Sequence, residues 1–231
     1  MGFSVLWGLG KMDKDTINKN PQPKKEQKPS DETQAQFRQI SKDELKQIYN
    51  DHITWIKSKR KEGKRADLRL LNLKGLKLKN AILAYADLQQ SNLFRVNLQQ
   101  AILIRTNLKK SNLCQANLRM ASLYKANLES AEIIGSILSN SNLTEANLRN
   151  CSCRGSDFEG AIFLKANLQG ADLLSTFFED ADFRDANLKG VKNLTIDQLQ
   201  GTKTLYKAKL EPELMEQVKT SNPNLLKEPQ K

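Results

Sequence analysis

The chain has 231 residues and a net charge of +11, with 37 basic and 26 acidic side chains. No run of 18 apolar residues occurs, so the sequence predicts no transmembrane helix. The strong basic excess makes an acidic partner worth considering, but it does not by itself indicate a fold.

The first 39 residues are expected to lack a packed core. Residues 1–10 (MGFSVLWGLG) are apolar, but they are too short and lack the basic leader of a signal peptide. We interpret them as a frayed terminus, with a weak contact to a membrane surface as the alternative. Residues 11–39 are polar and rich in Lys and Pro, which is typical of a disordered linker.

Residues 40–65 predict a capping helix. Ser41 and Glu44 have the spacing of a capping box, which favours a helix over residues 42–61 with Gly63 as the stop. One helical face carries Leu45, Ile48, Tyr49, His52, Ile53 and Ile56. We expect this face to cover the open end of the region that follows, where strand edges would otherwise be unpaired.

Residues 66–190 repeat every five residues without insertion or deletion. The central positions run from Leu68 to Leu188 in 25 units, and they hold nineteen Leu, four Phe, one Ile and one Cys. The residue two positions earlier is small in most units, with fourteen Ala and five Ser. A period of five fits neither an amphipathic helix nor an alternating strand, so we predict a solenoid whose stacked units share one core.

Many units resemble the A(D/N)LXX consensus of the pentapeptide-repeat family. Ala116-Asn117-Leu118-Arg119-Met120 and Ala126-Asn127-Leu128-Glu129-Ser130 show the pattern, and one register holds through all 125 residues. The resemblance implies a right-handed quadrilateral β-helix with four units per coil. It also implies that the central and small residues point inward and that the other three positions face outward.

Residues 191–231 predict a C-terminal cap and a frayed tail. Thr195 is placed to cap a short helix over residues 196–200, and Pro212 suits the first turn of another helix ending near Lys219.

The sequence holds no catalytic constellation, so we predict no enzyme activity, no cofactor and no metal site. His52 is the only histidine and lies on an apolar helix face, where a packed structural role is the simpler interpretation. Cys151 and Cys153 occupy the two inward positions of one unit. We interpret them as core residues of a reducing compartment, and a cytoplasmic protein is expected.

One face of the predicted β-helix is apolar at its outward positions. With four units per coil, residues twenty apart stack, which brings together Ile82, Ala84, Tyr85, Ile102, Ile104, Tyr124, Ile162 and Leu164. The neighbouring face carries Phe94, Cys114, Ile134 and Leu174 just after its central residues. Such a stripe indicates a contact surface for another protein or a second copy, unless the chain's own caps cover it.

Charge is uneven along the repeats. Residues 66–128 carry ten basic and two acidic side chains, whereas residues 129–190 carry five and ten. The basic half offers Arg95, Arg105, Lys109, Lys110, Arg119 and Lys125 as candidate contacts to an anionic partner.

Three classes of function follow from these patterns. A scaffold or protein-interaction module needs only a rigid rod with a patterned surface, and we favour it. The alternative is a nucleic-acid-related role, either by direct binding through the basic half or by modulating a topoisomerase as DNA-mimicking relatives do. The positive charge disfavours mimicry, and the basic residues are not interleaved with many aromatics. An enzyme is the least supported class.

Overall fold

A computed structural model describes residues 37–229, and these residues belong to one compact unit. The predicted apolar segment at 1–10 and nearly all of the predicted linker lie outside the described residues. The ordered elements are a β-helix, a capping helix before it and two short helices after it. They are α1 (Lys42–Lys57), α2 (Ile196–Gln200) and α3 (Pro212–Ser221), followed by a 3₁₀ helix at Pro223–Leu226.

Each unit of the repeat contributes one rung to a parallel ladder. We name its five positions small, pre-central, central, post-central and corner. Isolated parallel bridges join pre-central residues twenty apart, from Asp67–Asp87 to Asp172–Lys192. One coil therefore contains four units, and the β-helix has four faces. Faces 1 to 4 are defined by the central residues Leu68, Leu73, Leu78 and Leu83 of the first coil and by every twentieth residue after them.

Backbone hydrogen bonds explain why the unit has five residues. In the unit around Leu98, the amide of Asn97 donates to the preceding coil, and the amides of Leu98 and Gln100 donate to the following one. The amide of Ala101 then donates to the carbonyl of Leu98 at 3.0 Å, which closes the turn to the next face. The corner residue needs a left-handed backbone, with φ near 60° at positions such as Asn80 and Gln100.

The core is a narrow column of central and small side chains. Central residues from Leu68 onward are almost all fully buried, and Phe158, Phe163, Phe178 and Phe183 fill the column at its C-terminal end. The rings of Phe163 and Phe183, one coil apart, stack at 4.7 Å between centroids. Most buried hydroxyls at small positions donate to nearby carbonyls, as Ser91 does to Leu88 at 2.7 Å, which satisfies polar atoms that have no access to water. The Ser141 hydroxyl has no partner among the described residues.

The capping helix α1 supplies acceptors to the first coil, which has no preceding coil to receive its amides. The hydroxyl of Tyr49 accepts from the amide of Ile82 at 3.2 Å, and Nδ1 of His52 accepts from the amide of Ala66 at 3.1 Å. A single rung at Arg38 accepts the amide of Asn72 at 2.9 Å. The chain before the repeats thus closes three of the exposed backbone sites.

Two details of α1 differ from the sequence prediction. The helix ends at Lys57 and not at 61, because Lys59 and Arg60 adopt left-handed backbone angles and Ser58 caps the turn. Gly63 lies after the end of the helix, at a position where the Cβ of any other residue would collide with the backbone of Asp51. Ser41 accepts the amide of Glu44 as expected, but the Glu44 carboxylate pairs with Arg38 at 2.8 Å. A guanidinium is a stronger donor to that carboxylate than a backbone amide.

The ladder continues beyond Gly190, after a break. Helix α2 follows Lys192 and is capped by Thr195 and Gln198 as a capping box. After it, the chain rejoins the ladder with bridges Asp182–Thr204 and Asn187–Lys209, now 22 residues apart. Leu205, Ala208 and Leu210 are buried there like repeat residues.

Candidate interaction surface

The pre-central position has a structural task that only some residues perform. Sixteen of the 25 pre-central residues between 66 and 190 are Asn or Asp. Their Oδ1 atom accepts the amide of the post-central residue, as Asn107 does from Lys109 at 3.2 Å and Asn117 from Arg119 at 3.0 Å. In these two units every backbone amide has an acceptor. The fold therefore favours Asn or Asp at this position.

Five pre-central residues are apolar and cannot perform this task. They are Ile82, Ile102, Ile137, Ile162 and Phe177. The amide of Ile104, two residues after Ile102, accordingly has no protein acceptor among residues 37–229. Each of these apolar residues removes a hydrogen bond worth about 1 kcal/mol without adding to the core. Their presence is explained better by something outside the β-helix than by its stability.

The chain's own cap covers the N-terminal end of the predicted apolar face. Ala84 is only 7% exposed, which removes it from the candidate contact surface. Tyr85 is half-buried, with its ring 6.2 Å from Trp55 in an edge contact and 4.2 Å from the guanidinium of Arg60. Ile82 is half-buried as well. The sequence alone does not predict these contacts, because they depend on how the end of α1 and the segment after it pack against the first coil.

The remaining predicted residues stay accessible on face 4. Ile102 and Ile162 are 37% and 39% exposed. Half-buried side chains lie beside them at the post-central position: Ile104, Tyr124 and Leu164. We call these five residues the face-4 surface. Ile102 and Ile162 are three coils apart on one line of bridges, about 14 Å at ordinary strand spacing.

The structure also brings together a second apolar surface. It consists of Ile134 and Leu174 at post-central positions of face 2 and of Ile137 and Phe177 on face 3. Phe177 is 63% exposed, the highest value among the exposed large hydrophobic residues of the described chain. The sequence-based prediction placed Ile134 and Leu174 on a face next to face 4, which is wrong, because face 2 lies opposite face 4 in a coil of four units. It did not name Ile137 and Phe177. The signal for both residues is an apolar side chain at the pre-central position, where most units have Asn or Asp.

The candidate basic contacts do not form one track. Lys109 and Lys110 lie between faces 1 and 2, Arg95 follows face 2, Arg119 follows face 3, and Arg105 and Lys125 follow face 4. Lys109 pairs with Glu129 at 3.1 Å, and Lys125 pairs with Glu145 at 3.2 Å. The Arg95 guanidinium donates to Gln115 at 2.6 Å. The six side chains thus project from all four sides of the β-helix.

His52, Cys151 and Cys153, whose side chains could act in catalysis, are buried and packed against other residues of the protein. His52 is fully buried and stacks on Trp55 at 5.8 Å. Burial lowers the pKa of His52, against an opposing contact with the Ala84 carbonyl, and the nearby Arg65 lowers it further. The Cys151 and Cys153 sulfurs lie 3.1 Å apart in the core. The hydrogen bond between these thiols and their burial hold the pKa of Cys153 well above its ordinary value.

Comparisons with solved structures return pentapeptide-repeat proteins. HetL, involved in heterocyst differentiation regulation in the cyanobacterium Nostoc sp. strain PCC 7120, is 26% identical over 63% of this chain and 77% of its own, with a TM-score of 0.40. QnrB1, a plasmid-mediated fluoroquinolone resistance protein, is 19% identical over 62% and 84%, with a TM-score of 0.40. Rfr23 from the cyanobacterium Cyanothece 51142 is 20% identical over 70% and 99%, with a TM-score of 0.32.

The curated proteins contain no match to this chain. Within residues 37–229, no helix is both long enough and apolar enough to cross a bilayer. The family profile described as pentapeptide repeats matches eight copies, at residues 64–100, 91–129, 126–163 and 163–192. These matches coincide with the ladder of four-unit coils and span more than half of the sequence, so the chain belongs to the pentapeptide-repeat family.

Proposed function

We propose that the chain is a non-catalytic scaffold whose right-handed β-helix presents the face-4 surface to another protein or to a second copy of itself. The observation that carries this proposal is the apolar residue at two exposed pre-central positions, 102 and 162, where the fold favours Asn or Asp. An isoleucine there exposes apolar area and removes a backbone hydrogen bond. A partner that buries the side chain and also accepts a hydrogen bond from the post-central amide offsets both costs.

The arrangement also describes the partner. It needs apolar groups at two places about 14 Å apart, because Ser122 and Asn142 separate Ile102 from Ile162 on the same line of bridges. It needs a hydrogen-bond acceptor near the amide of Ile104. The Lys125–Glu145 pair lies at the corner of this face and would form part of a polar rim.

The test replaces Ile102 by Asn and Ile104 by Lys in the full chain. Asn is the ordinary residue at the first position, and Lys already occupies the second position at Lys79 and Lys109, so the β-helix should fold. Sedimentation should then show loss of any self-association, and a tagged pull-down from the native cell should lose its partner.

The matched control is Gln169→Lys, which adds the same charge at an exposed post-central site of face 1. It should leave association and partner capture unchanged. If the face-4 variant associates and captures partners as the unmodified chain does, the surface is inert and the proposal fails. A circular dichroism spectrum and a thermal transition for each variant exclude unfolding as the cause of any loss.

A further inference from the structure

A cavity of about 370 Å³ lies between α1 and the first coil of the β-helix. Its volume falls in the range of small-molecule sites. Its apolar lining combines three partly buried side chains, Leu45, Ile48 and Leu78, with Leu68, Leu73 and Leu83 of the first coil, which are at most 3% exposed. Helix α1 therefore covers the end of the core without filling it.

Four lysines also line this cavity. Lys42 and Lys46 come from α1, and Lys77 and Lys79 come from face 3 of the first coil. No lining residue is acidic, and none of the four lysines forms an ion pair with a side chain of residues 37–229. Four lysines in the lining of one cavity concentrate positive charge there, and a bound anion would offset that charge.

A backbone donor is directed toward the same place. Amides at pre-central positions point to the preceding coil, as the amide of Asn97 does toward the carbonyl of Leu76 at 2.9 Å. In the first coil the corresponding amides of Asn72 and Ile82 are accepted by Arg38 and Tyr49. The amide of Lys77 has no acceptor among residues 37–229, and Lys77 lines the cavity.

We propose that this cavity binds a free fatty acid. The carboxylate accepts hydrogen bonds from the Lys77 amide and from lysine ammonium groups, and the alkyl chain lies against the accessible side chains of Leu45, Ile48 and Leu78. An apolar cavity with a few convergent polar donors is the usual form of a small-molecule site, and here four of the polar side chains in the lining are cationic, beside Tyr49 and Asn80. The site is separate from the face-4 surface and does not depend on the scaffold proposal.

The experiment is calorimetric titration of the full chain with monomeric decanoate. Decanol supplies the same tail without the charge, and butyrate supplies the same head group with a short tail. Decanoate is expected to bind and to raise the thermal transition, and decanol and butyrate are expected to bind much more weakly. The double substitution Lys77→Gln and Lys79→Gln should weaken decanoate binding about tenfold, because each lost ammonium removes a charge-assisted bond.

The matched control removes two lysines outside the cavity, with Lys61→Gln and Lys74→Gln. It should leave the affinity for decanoate unchanged. Three results would overturn the proposal: no binding of decanoate, equal affinity for decanol, or equal weakening by the control pair. Binding to vesicles of phosphatidylglycerol without binding to decanoate would assign the lysines to a membrane surface and would also overturn it.

Discussion

At the scale of single residues, the side-chain amide explains why asparagine dominates the pre-central position. Oδ1 of Asn127 accepts the amide of Glu129, and Nδ2 of Asn107 donates to Asp87 in the preceding coil at 3.0 Å. An amide side chain can thus serve its own unit and a neighbouring coil at once, whereas a carboxylate can only accept. The Asn147–Asn127 pair at 3.0 Å repeats the arrangement further along face 1.

Exchanging residue types at this position should change stability in opposite directions. Ile102→Asn gives the amide of Ile104 an acceptor and should raise the free energy of unfolding by about 0.5–1.5 kcal/mol. Asn117→Ile is the converse change on face 3 and should lower it by a similar amount, because the amide of Arg119 loses its acceptor. Urea unfolding of both variants measures the difference. Equal destabilisation by both would contradict the assigned role of the pre-central residue.

At the scale of elements, α1 is fixed by polar contacts as well as by its apolar face. Ile40, Leu45 and Ile48 pack on the core cluster, and Tyr49 and His52 place their polar atoms on unpaired amides of the first coil. The imidazole must be neutral at Nδ1 to accept the Ala66 amide. The docking of the helix is therefore linked to the protonation of one side chain.

Stability should fall as the pH is lowered through the histidine range. The pKa of His52 is depressed in the folded chain, so the unfolded chain binds a proton first as the pH drops below its ordinary value. The contribution of neutral His52 is fully present above that value and is lost as the pH falls toward the depressed one. The slope can reach about 1.4 kcal/mol per pH unit.

Unfolding by urea between about pH 7.5 and about pH 5.5 measures this dependence. His52→Asn is the control, because its Oδ1 can accept the Ala66 amide without titrating in this range. His52 is the only histidine in the chain, so the variant should show a much flatter profile. An equally steep profile in the variant would assign the pH dependence to other groups.

At the scale of the whole molecule, the period of five sets the inward register of every later unit. Inserting one residue after Gln115 should move each following central leucine out of the core and abolish the cooperative transition, because no later unit can bury its apolar side chain. Inserting a complete five-residue unit at the same place is the matched control, and it should keep the inward register. Thermal unfolding compares the two. A one-residue insertion that unfolds like the original chain would contradict the register.

The distribution of charge makes binding to nucleic acid unfavourable despite the net charge of +11. Candidate basic residues project from all four sides, and two of the six are paired with glutamates. We expect no mobility shift with duplex DNA or RNA at low salt. Binding that weakens steeply with salt and disappears in a variant with Lys109, Lys110 and Arg119 reversed to Glu would contradict this expectation.

The sequence predicted the family and the residues that point inward, because a strict period leaves one consistent register. Every central residue from Leu68 to Leu188 is buried as that register requires, except Leu78 of the first coil, which is partly buried. The five-residue period could not predict the rungs at Thr204 and Lys209, because the insertion of α2 places them 22 residues after their bridge partners instead of 20. It also misplaced Ala84, whose burial depends on a contact between segments distant in sequence. Local pattern determines the repeats, and tertiary contacts determine what remains exposed around them.

Helix α1 and Arg38 supply hydrogen-bond acceptors to the first coil and thereby cover one end of the ladder. A parallel ladder has complementary ends, so an uncovered first coil could accept the last coil of another molecule in a head-to-tail contact. Such a contact does not close on itself and would generate a filament. With Arg38, Tyr49 and His52 on the leading edge and α3 and the 3₁₀ helix after the last rungs, neither end offers a continuous row of donors or acceptors. We therefore expect head-to-tail stacking to be disfavoured and any association to use the sides of the β-helix.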